Sequence, residues 1–209
     1  EPHRGLYEDT LHLRADGSPR RNLALTKAAL SRARSRDKSL MESLMSRQGT
    51  IVSGNSSFSA QRANEVYGIE AGVLWPCVDT EEFPEDPSED TENPYPEDGD
   101  YVVCVGRASH AKGTWETISM LVGTGLSLAH VGGGDERSLG IITKHADSSG
   151  VGLWVAPRLP SSDLVSLMRG ATAVVSMAHK ESFGLTPIEA FALGTPAIFV
   201  DEGGFRDTI

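Results

Sequence analysis

Tyr101-Val102-Val103-Cys104-Val105-Gly106-Arg107-Ala108-Ser109-His110-Ala111-Lys112-Gly113 is the stretch from which the architecture can be read. An unbroken apolar run bounded by Gly predicts a strand buried on both faces. The loop that follows leads into helical composition at Thr114–Val122, so the unit reads strand, loop, helix. The alternation then repeats. Apolar strands are predicted at Leu126–Val131, Gly152–Val155, Ala173–Ser176 and Ala197–Val200, with helices near Glu136–His145, Ser162–Arg169 and Pro187–Leu193. Strands alternating with helices in this way predict an α/β fold, a Rossmann-like parallel sheet with helices on both faces. Such sheets bind ligands beyond the carboxyl ends of their strands, where the strand order reverses. Arg107, Gly132–Gly134, Arg158 and Glu181 all fall just after a predicted strand, which places four polar candidates on one sheet edge.

The first half is less regular. Arg20 to Gln48 has helical composition with room for a break or two, and Thr50–Ser53 reads as a short strand. Ser56 to Tyr67 predicts a helix ended by Gly68, and Val73–Trp75 another short strand. The chain opens on Glu1 rather than Met, and Ile209 falls where a helix has barely begun. Both ends therefore read as cut from a longer protein.

The 209 residues carry a formal charge of −10, unevenly spread. From Asp79 to Asp100 there are eleven acids and four Pro, with no Lys or Arg. Outside that stretch 19 basic residues face 18 acids, a balance that lacks the basic surface of a nucleic-acid binder. The acidic stretch reads as an exposed linker or surface loop, with docking of a basic partner as the alternative. Cys77 and Cys104 form no closely spaced pattern, which is consistent with reduced thiols in the cytosol. No apolar run approaches the roughly 18–20 residues of a membrane span. His110 and His179 sit near the proposed site loops. His179 stands at no metal-ligand spacing from another His or Cys, so no metal is expected.

The chemistry concentrates in Lys180-Glu181-Ser182-Phe183-Gly184-Leu185-Thr186-Pro187-Ile188-Glu189-Ala190. Thr186-Pro187-Ile188-Glu189 has the form of a capping box, with Thr at N-cap and Glu three residues on. The open amides of a helix start attract phosphate, while Glu181 and Glu189 on either side suit hydroxyl groups. A nucleotide-sugar has that form, with a diphosphate between ribose and hexose. Arg107 and Lys112, flanked by Gly106 and Gly113, add a guanidinium fork and an ammonium point charge able to clamp a diphosphate. The turn Gly132-Gly133-Gly134 permits close backbone approach without meeting the dinucleotide spacing. No Walker loop and no nucleophile elbow occur, which leaves P-loop ATPase and hydrolase chemistry without support.

Taken together, Gly106-Arg107 and Lys112-Gly113, the triple Gly, Glu181-Ser182-Phe183-Gly184-Leu185 with Glu189-Ala190, Gly194-Thr195-Pro196 and Gly203-Gly204 resemble the retaining GT-B glycosyltransferases of the "glycosyl transferases group one" family. Earlier, Ile51–Ser56 and Trp75–Thr80 resemble the end of that family's first domain and its crossover. The resemblance implies residues 1–80 as a remnant of the acceptor-side domain and 81–100 as the acidic linker. Residues 101–209 would be a nucleotide-sugar donor-binding domain, incomplete at its C-terminus. It implies transfer of a hexose from a GDP-mannose or UDP-glucose type donor to an acceptor hydroxyl, with retention and without a metal or other cofactor. Arg107 and Lys112 would hold the diphosphate, with Gly106, Gly133 and the amides near Phe183, Gly184 and Leu185 helping. Glu181 would take the donor sugar, Glu189 the ribose, and Arg158 would lie by the base. The partners would be the donor and a glycan or lipid-linked acceptor, and the piece alone is expected to be inactive. Departures are Pro157 in place of Gly, Cys77 in the crossover, and Asp207 in place of Glu after Gly-Gly. A sugar-nucleotide epimerase of the same architecture and a non-catalytic nucleotide-sugar-binding module are the alternatives.

Overall fold

The computed structural model describes residues 4–79, 83 and 92–209, so half of the expected acidic linker, residues 81, 82 and 84–91, lies outside the described residues. Two short parallel strands, β1 (Ser53–Gly54) and β2 (Gly72–Val73), belong to the first half. The second half carries β3 (Tyr101–Val105), β4 (Ser127–Val131), β5 (Leu153–Ala156), β6 (Ala173–Ser176) and β7 (Ala197–Phe199). These five pair in parallel in the order β5-β4-β3-β6-β7. The helices are α1 (Arg4–Tyr7), α2 (Leu23–Met45), α3 (Ser57–Tyr67), α4 (Thr114–Met120), α5 (Glu136–Ser149), α6 (Ser161–Arg169) and α7 (Leu185–Ala192).

Alternation along the central strand explains the two layers of core. Val102 and Cys104 of β3 point to the face where Ile118 of α4 and Ile142 and Ala146 of α5 are buried. Tyr101 and Val103 point to the other, against Leu167 and Met168 of α6 and Ala190 of α7. Ile118, Ile142 and Leu167 are wholly buried, each contributing about 1.5–3 kcal/mol relative to exposure. The sheet is thus covered on both sides, as continuous apolar strands require.

The first half packs by polar contacts. α2 runs unbroken for 23 residues, and only a stripe through Leu30, Arg34, Asp37 and Met41 is partly covered. On it, Asp37 accepts hydrogen bonds from the hydroxyls of Tyr7 and Tyr67, both at 2.7 Å, joining α1, α2 and α3. Burial and the Asp37 carboxylate push the Tyr7 hydroxyl up to about 12. The Ser56 side chain caps α3 by accepting from the Ser59 amide, and Gly68 closes it in the left-handed region. Asp207 also ties the halves together, accepting from the Ser57 amide at 2.8 Å and the Trp75 indole N–H at 2.9 Å.

Two readings require correction. The strands expected at Thr50–Ser53 and Val73–Trp75 shrink to the two residue pairs Ser53–Gly54 and Gly72–Val73. Further, the capping box does not form. α7 begins at Leu185 with Gly184 as its N-cap, and no side chain caps it. Gly184, at φ 84°, turns the chain into the helix two residues before Thr186. Pro187 becomes the third helical residue, still among the first four whose N–H groups have no intrahelical acceptor. Glu189 is then the fifth helical residue, past the third position that a capping box requires.

Candidate functional site

The strand order reverses between β3 and β6. The chain leaves β3 toward β4 on one side, and β6 lies on the other, with Val102 opposite Ala173 and Val103 opposite Val174. Beyond the carboxyl ends of these two strands lies a cleft of about 200 Å³. Lys112 lines it from the loop after β3, and Glu181 with Ser182 and Phe183 from the loop after β6. Gly184, Leu185 and Thr186 at the start of α7 complete that wall. The cleft therefore sits where a doubly wound sheet opens between diverging loops.

Each wall is held in place by backbone packing. The Gly106 Cα faces the Lys112 stem, so that an added Cβ would lie 3.3 Å from its Cδ. Gly113 has φ 62°, and a Cβ there would come within 1.9 Å of the Met177 carbonyl oxygen. That contact, with the His179 amide donating to the Ala111 carbonyl at 3.0 Å, locks the Lys112 loop to the Glu181 loop. From below, the Ser182 carbonyl accepts from the hydroxyls of Ser56 and Ser59. At the other end a Cβ on Gly184 would meet the Phe205 ring at 2.4 Å.

In the cleft Lys112 Nζ donates to Glu181 Oε2 at 2.6 Å. Burial pushes the Glu181 carboxyl up, but the Lys112 charge and hydrogen bond outweigh it and hold it below the ordinary glutamate value. Glu181 is therefore ionised at neutral pH, an anion already seated on the cation. Leu185 and Thr186, the first residues of α7, line the same space. The N–H groups of a first helical turn lack intrahelical acceptors, and the helix dipole adds positive potential at that end.

The remaining candidates lie apart. Arg107 is exposed on the loop that carries Lys112 and lines a separate cavity of about 430 Å³ with Arg20, Gly134 and Asp135. Arg20 pairs there with Asp135 at 3.4 Å. The Gly133 amide already donates to the Ala156 carbonyl at 3.2 Å, so it offers no open donor. The Gly133 carbonyl accepts from buried His130 Nε2 at 3.2 Å, and burial lowers that imidazole's pKa. Arg158 is exposed beyond β5. Glu189 is half-buried within α7, outside the residues that line the cleft. The structure thus brings together Lys112, Glu181, Phe183, Gly184 and Leu185, with Gly106 behind them. Arg107, Gly133, Arg158 and Glu189 are not in that group. Reading by residue type missed Ser56, Ser59 and Asp207, whose roles arise from contacts across more than a hundred residues.

A parallel sheet with a cleft at its switch point defines a doubly wound α/β protein. The model of the family described as Glycosyl transferases group 1 matches residues 85–209, and the chain belongs to that family. A D-inositol 3-phosphate glycosyltransferase of Frankia alni is 30% identical over 184 residues, covering 76% of this chain and 45% of the relative. One of the same name from Thermobifida fusca is 35% identical over 71 residues, 33% of this chain and 16% of that one. The chain thus spans less than half the length of the curated relatives it matches. Among solved structures, Anabaena HepE in complex with UDP and glucose superposes with a TM-score of 0.67 at 18% identity. That likeness covers 83% of this chain and 50% of HepE. Sucrose-phosphate synthase of Thermosynechococcus elongatus gives 0.56 at 22% identity, over 76% of this chain and 42% of that one. The fold is that of the GT-B glycosyltransferases. Among the described residues no helix is long and apolar enough to cross a membrane.

Proposed function

We propose that this chain carries the donor side of a nucleotide-sugar glycosyltransferase, with residues 101–209 as its donor-binding domain and residues 1–80 as part of the acceptor side. The observation that carries the reading is the Lys112–Glu181 pair beside the first turn of α7 at the sheet's switch point. A diphosphate takes over Lys112 and the Leu185 and Thr186 amides, and the displaced Glu181 carboxylate accepts hydroxyl groups of the hexose. Lys112 and the helix dipole then stabilise the charge that develops on the departing nucleoside diphosphate. The bond from the anomeric carbon to the diphosphate breaks as an acceptor oxygen bonds on the same face. The acceptor proton passes to the departing phosphate oxygen, and the anomeric configuration is retained. No metal takes part in this step.

In this scheme Arg107, exposed on the same loop and lining the neighbouring cavity, turns its side chain toward the diphosphate as the second phosphate contact. Glu189 serves the ribose and Arg158 the base. The donor is of the GDP-mannose or UDP-glucose type. HepE's UDP and glucose favour testing the uridine donor first, and the relatives' names make D-inositol 3-phosphate the first acceptor to assay. Calorimetric titration of UDP and GDP into the chain tests the reading. Binding of one of them, weakened tenfold or more by Lys112→Ala, supports it. The absence of heat and of thermal stabilisation with both nucleotides overturns it.

A further inference from the structure

Beside the cleft, the fold gathers three metal-ligating side chains that are distant or irregularly spaced in sequence. His110 comes from a short 3₁₀ turn after β3, Glu116 from the first turn of α4, and His179 from the loop after β6. His110 Nδ1 lies 3.4 Å from Glu116 Oε1, and His179 Nε2 lies 3.3 Å from the same oxygen. One ligand atom from each of the three falls within 4.8 Å of the others. Neighbouring ligands around a four-coordinate zinc, with bonds of about 2.0–2.1 Å, sit about 3.3 Å apart. Two of the separations already have that value.

Hydrogen bonding points the same way. His110 Nδ1 and Glu116 Oε2 are buried and make no hydrogen bond, although His110 Nδ1 is close to the other carboxylate oxygen. Buried polar atoms without partners are uncommon and costly, and a cation bound by this imidazole and this carboxylate would satisfy both. On the outer side of His179, Glu202 Oε2 lies 3.9 Å from Nδ1, while Glu202 Oε1 accepts from the Lys180 amide at 2.8 Å. A carboxylate behind a ligating imidazole orients the ring and leaves the opposite nitrogen to the metal.

We propose that His110, Glu116 and His179 form a binding site for a divalent transition cation of the zinc type, with water completing its coordination. Two imidazole nitrogens with one carboxylate suit such ions, whereas magnesium and calcium prefer oxygen alone. None of the three lines the 200 Å³ cleft, so the ion takes no part in the transfer step. Its place is structural. Lys112 follows His110 by two residues and Glu181 follows His179 by two, so the ion would tie together the roots of both loops.

Chelator-stripped protein dialysed against zinc, with metal per chain measured by mass spectrometry, tests the site. One zinc per chain is expected. His110→Gln and His179→Gln should each weaken uptake tenfold or more, and His12→Gln should leave it unchanged. If circular dichroism shows that a variant has not folded, ¹⁵N imidazole spectra of the unaltered chain decide. Zinc must shift His110 Nδ1 and His179 Nε2 while leaving His12 and His145 in place. Absence of stoichiometric uptake, equal uptake by the folded variants, or unmoved His110 and His179 resonances would each overturn the proposal. UDP binding need not change with it, so its failure would leave the donor-site reading standing.

Discussion

Lys112 Nζ and Glu181 Oε2 meet at 2.6 Å across 69 residues of sequence, because each rides the loop that leaves one of two neighbouring parallel strands. In the proposed scheme the Glu181 carboxylate stands where the diphosphate would bind, so a diphosphate has to displace it. Removing either partner should therefore act in opposite directions on nucleotide binding.

Lys112→Ala should weaken UDP or GDP at least tenfold, a loss of about 1.4 kcal/mol or more. Glu181→Gln should tighten the bare nucleoside diphosphate a fewfold, because the competing charge is gone, while weakening the intact nucleotide-sugar. Calorimetry with UDP and UDP-glucose on both variants reads the two effects. A fall in UDP affinity in Glu181→Gln would contradict the displacement.

Two glycines, one at the loop junction and one inside α5, should give stability changes of opposite sign. Gly113→Ala places a Cβ 1.9 Å from the Met177 carbonyl at a left-handed φ of 62°, which should cost on the order of 2–4 kcal/mol. Gly140→Ala lies inside α5 with nothing within 4 Å, and should stabilise by about 0.5–1 kcal/mol. Urea midpoints of the two variants check this.

Much of the fold was legible because its strands are pure apolar runs. Tyr101–Val105 and Ala173–Ser176 have the predicted limits, and the parallel order follows from the helices between them. The two-residue strands β1 and β2 were overestimated, since one or two ladder bonds leave little trace in local composition. The α7 start was misplaced because Thr-Pro-x-Glu has the pattern of a cap, whereas Gly184 packing on Phe205 decides where the helix begins. At the site, Lys112 and Glu181 were legible by residue type and by position after a strand. The separation of Arg107 and Glu189 from them was not, because it depends on which way a loop and a helix turn. The His110–Glu116–His179 grouping was equally hidden, since spacing rules see only neighbours along the chain.

Asp207 should give the fold an acid-sensitive seam. Burial raises its carboxyl, but the Ser57 amide and the Trp75 indole N–H outweigh that and hold it below the ordinary aspartate value of 3.8. A carboxyl depressed in the folded state adds stability above the unfolded value and loses it as pH falls through the folded one. Asp207→Asn should therefore flatten the acid limb of stability against pH, followed by tryptophan fluorescence. An acid limb identical to that of the unaltered chain would contradict this.

The two thiols should differ in reactivity. Cys77 is exposed and Cys104 buried, and burial pushes the Cys104 thiol up to about 11 despite the opposing pull of Lys112 and Thr117. Because the thiolate is the reactive form, an aromatic disulfide reagent should titrate one thiol in the native chain and the second only in denaturant. Two fast equivalents without denaturant would contradict the packing of β3.

A crystal structure with UDP soaked into the chain decides between a donor site and an ordinary ion pair. The expected result is a diphosphate on Lys112 Nζ and the Leu185 and Thr186 amides, with the Lys112–Glu181 contact opened well beyond 2.6 Å. A nucleotide bound elsewhere, with that contact intact, would contradict it.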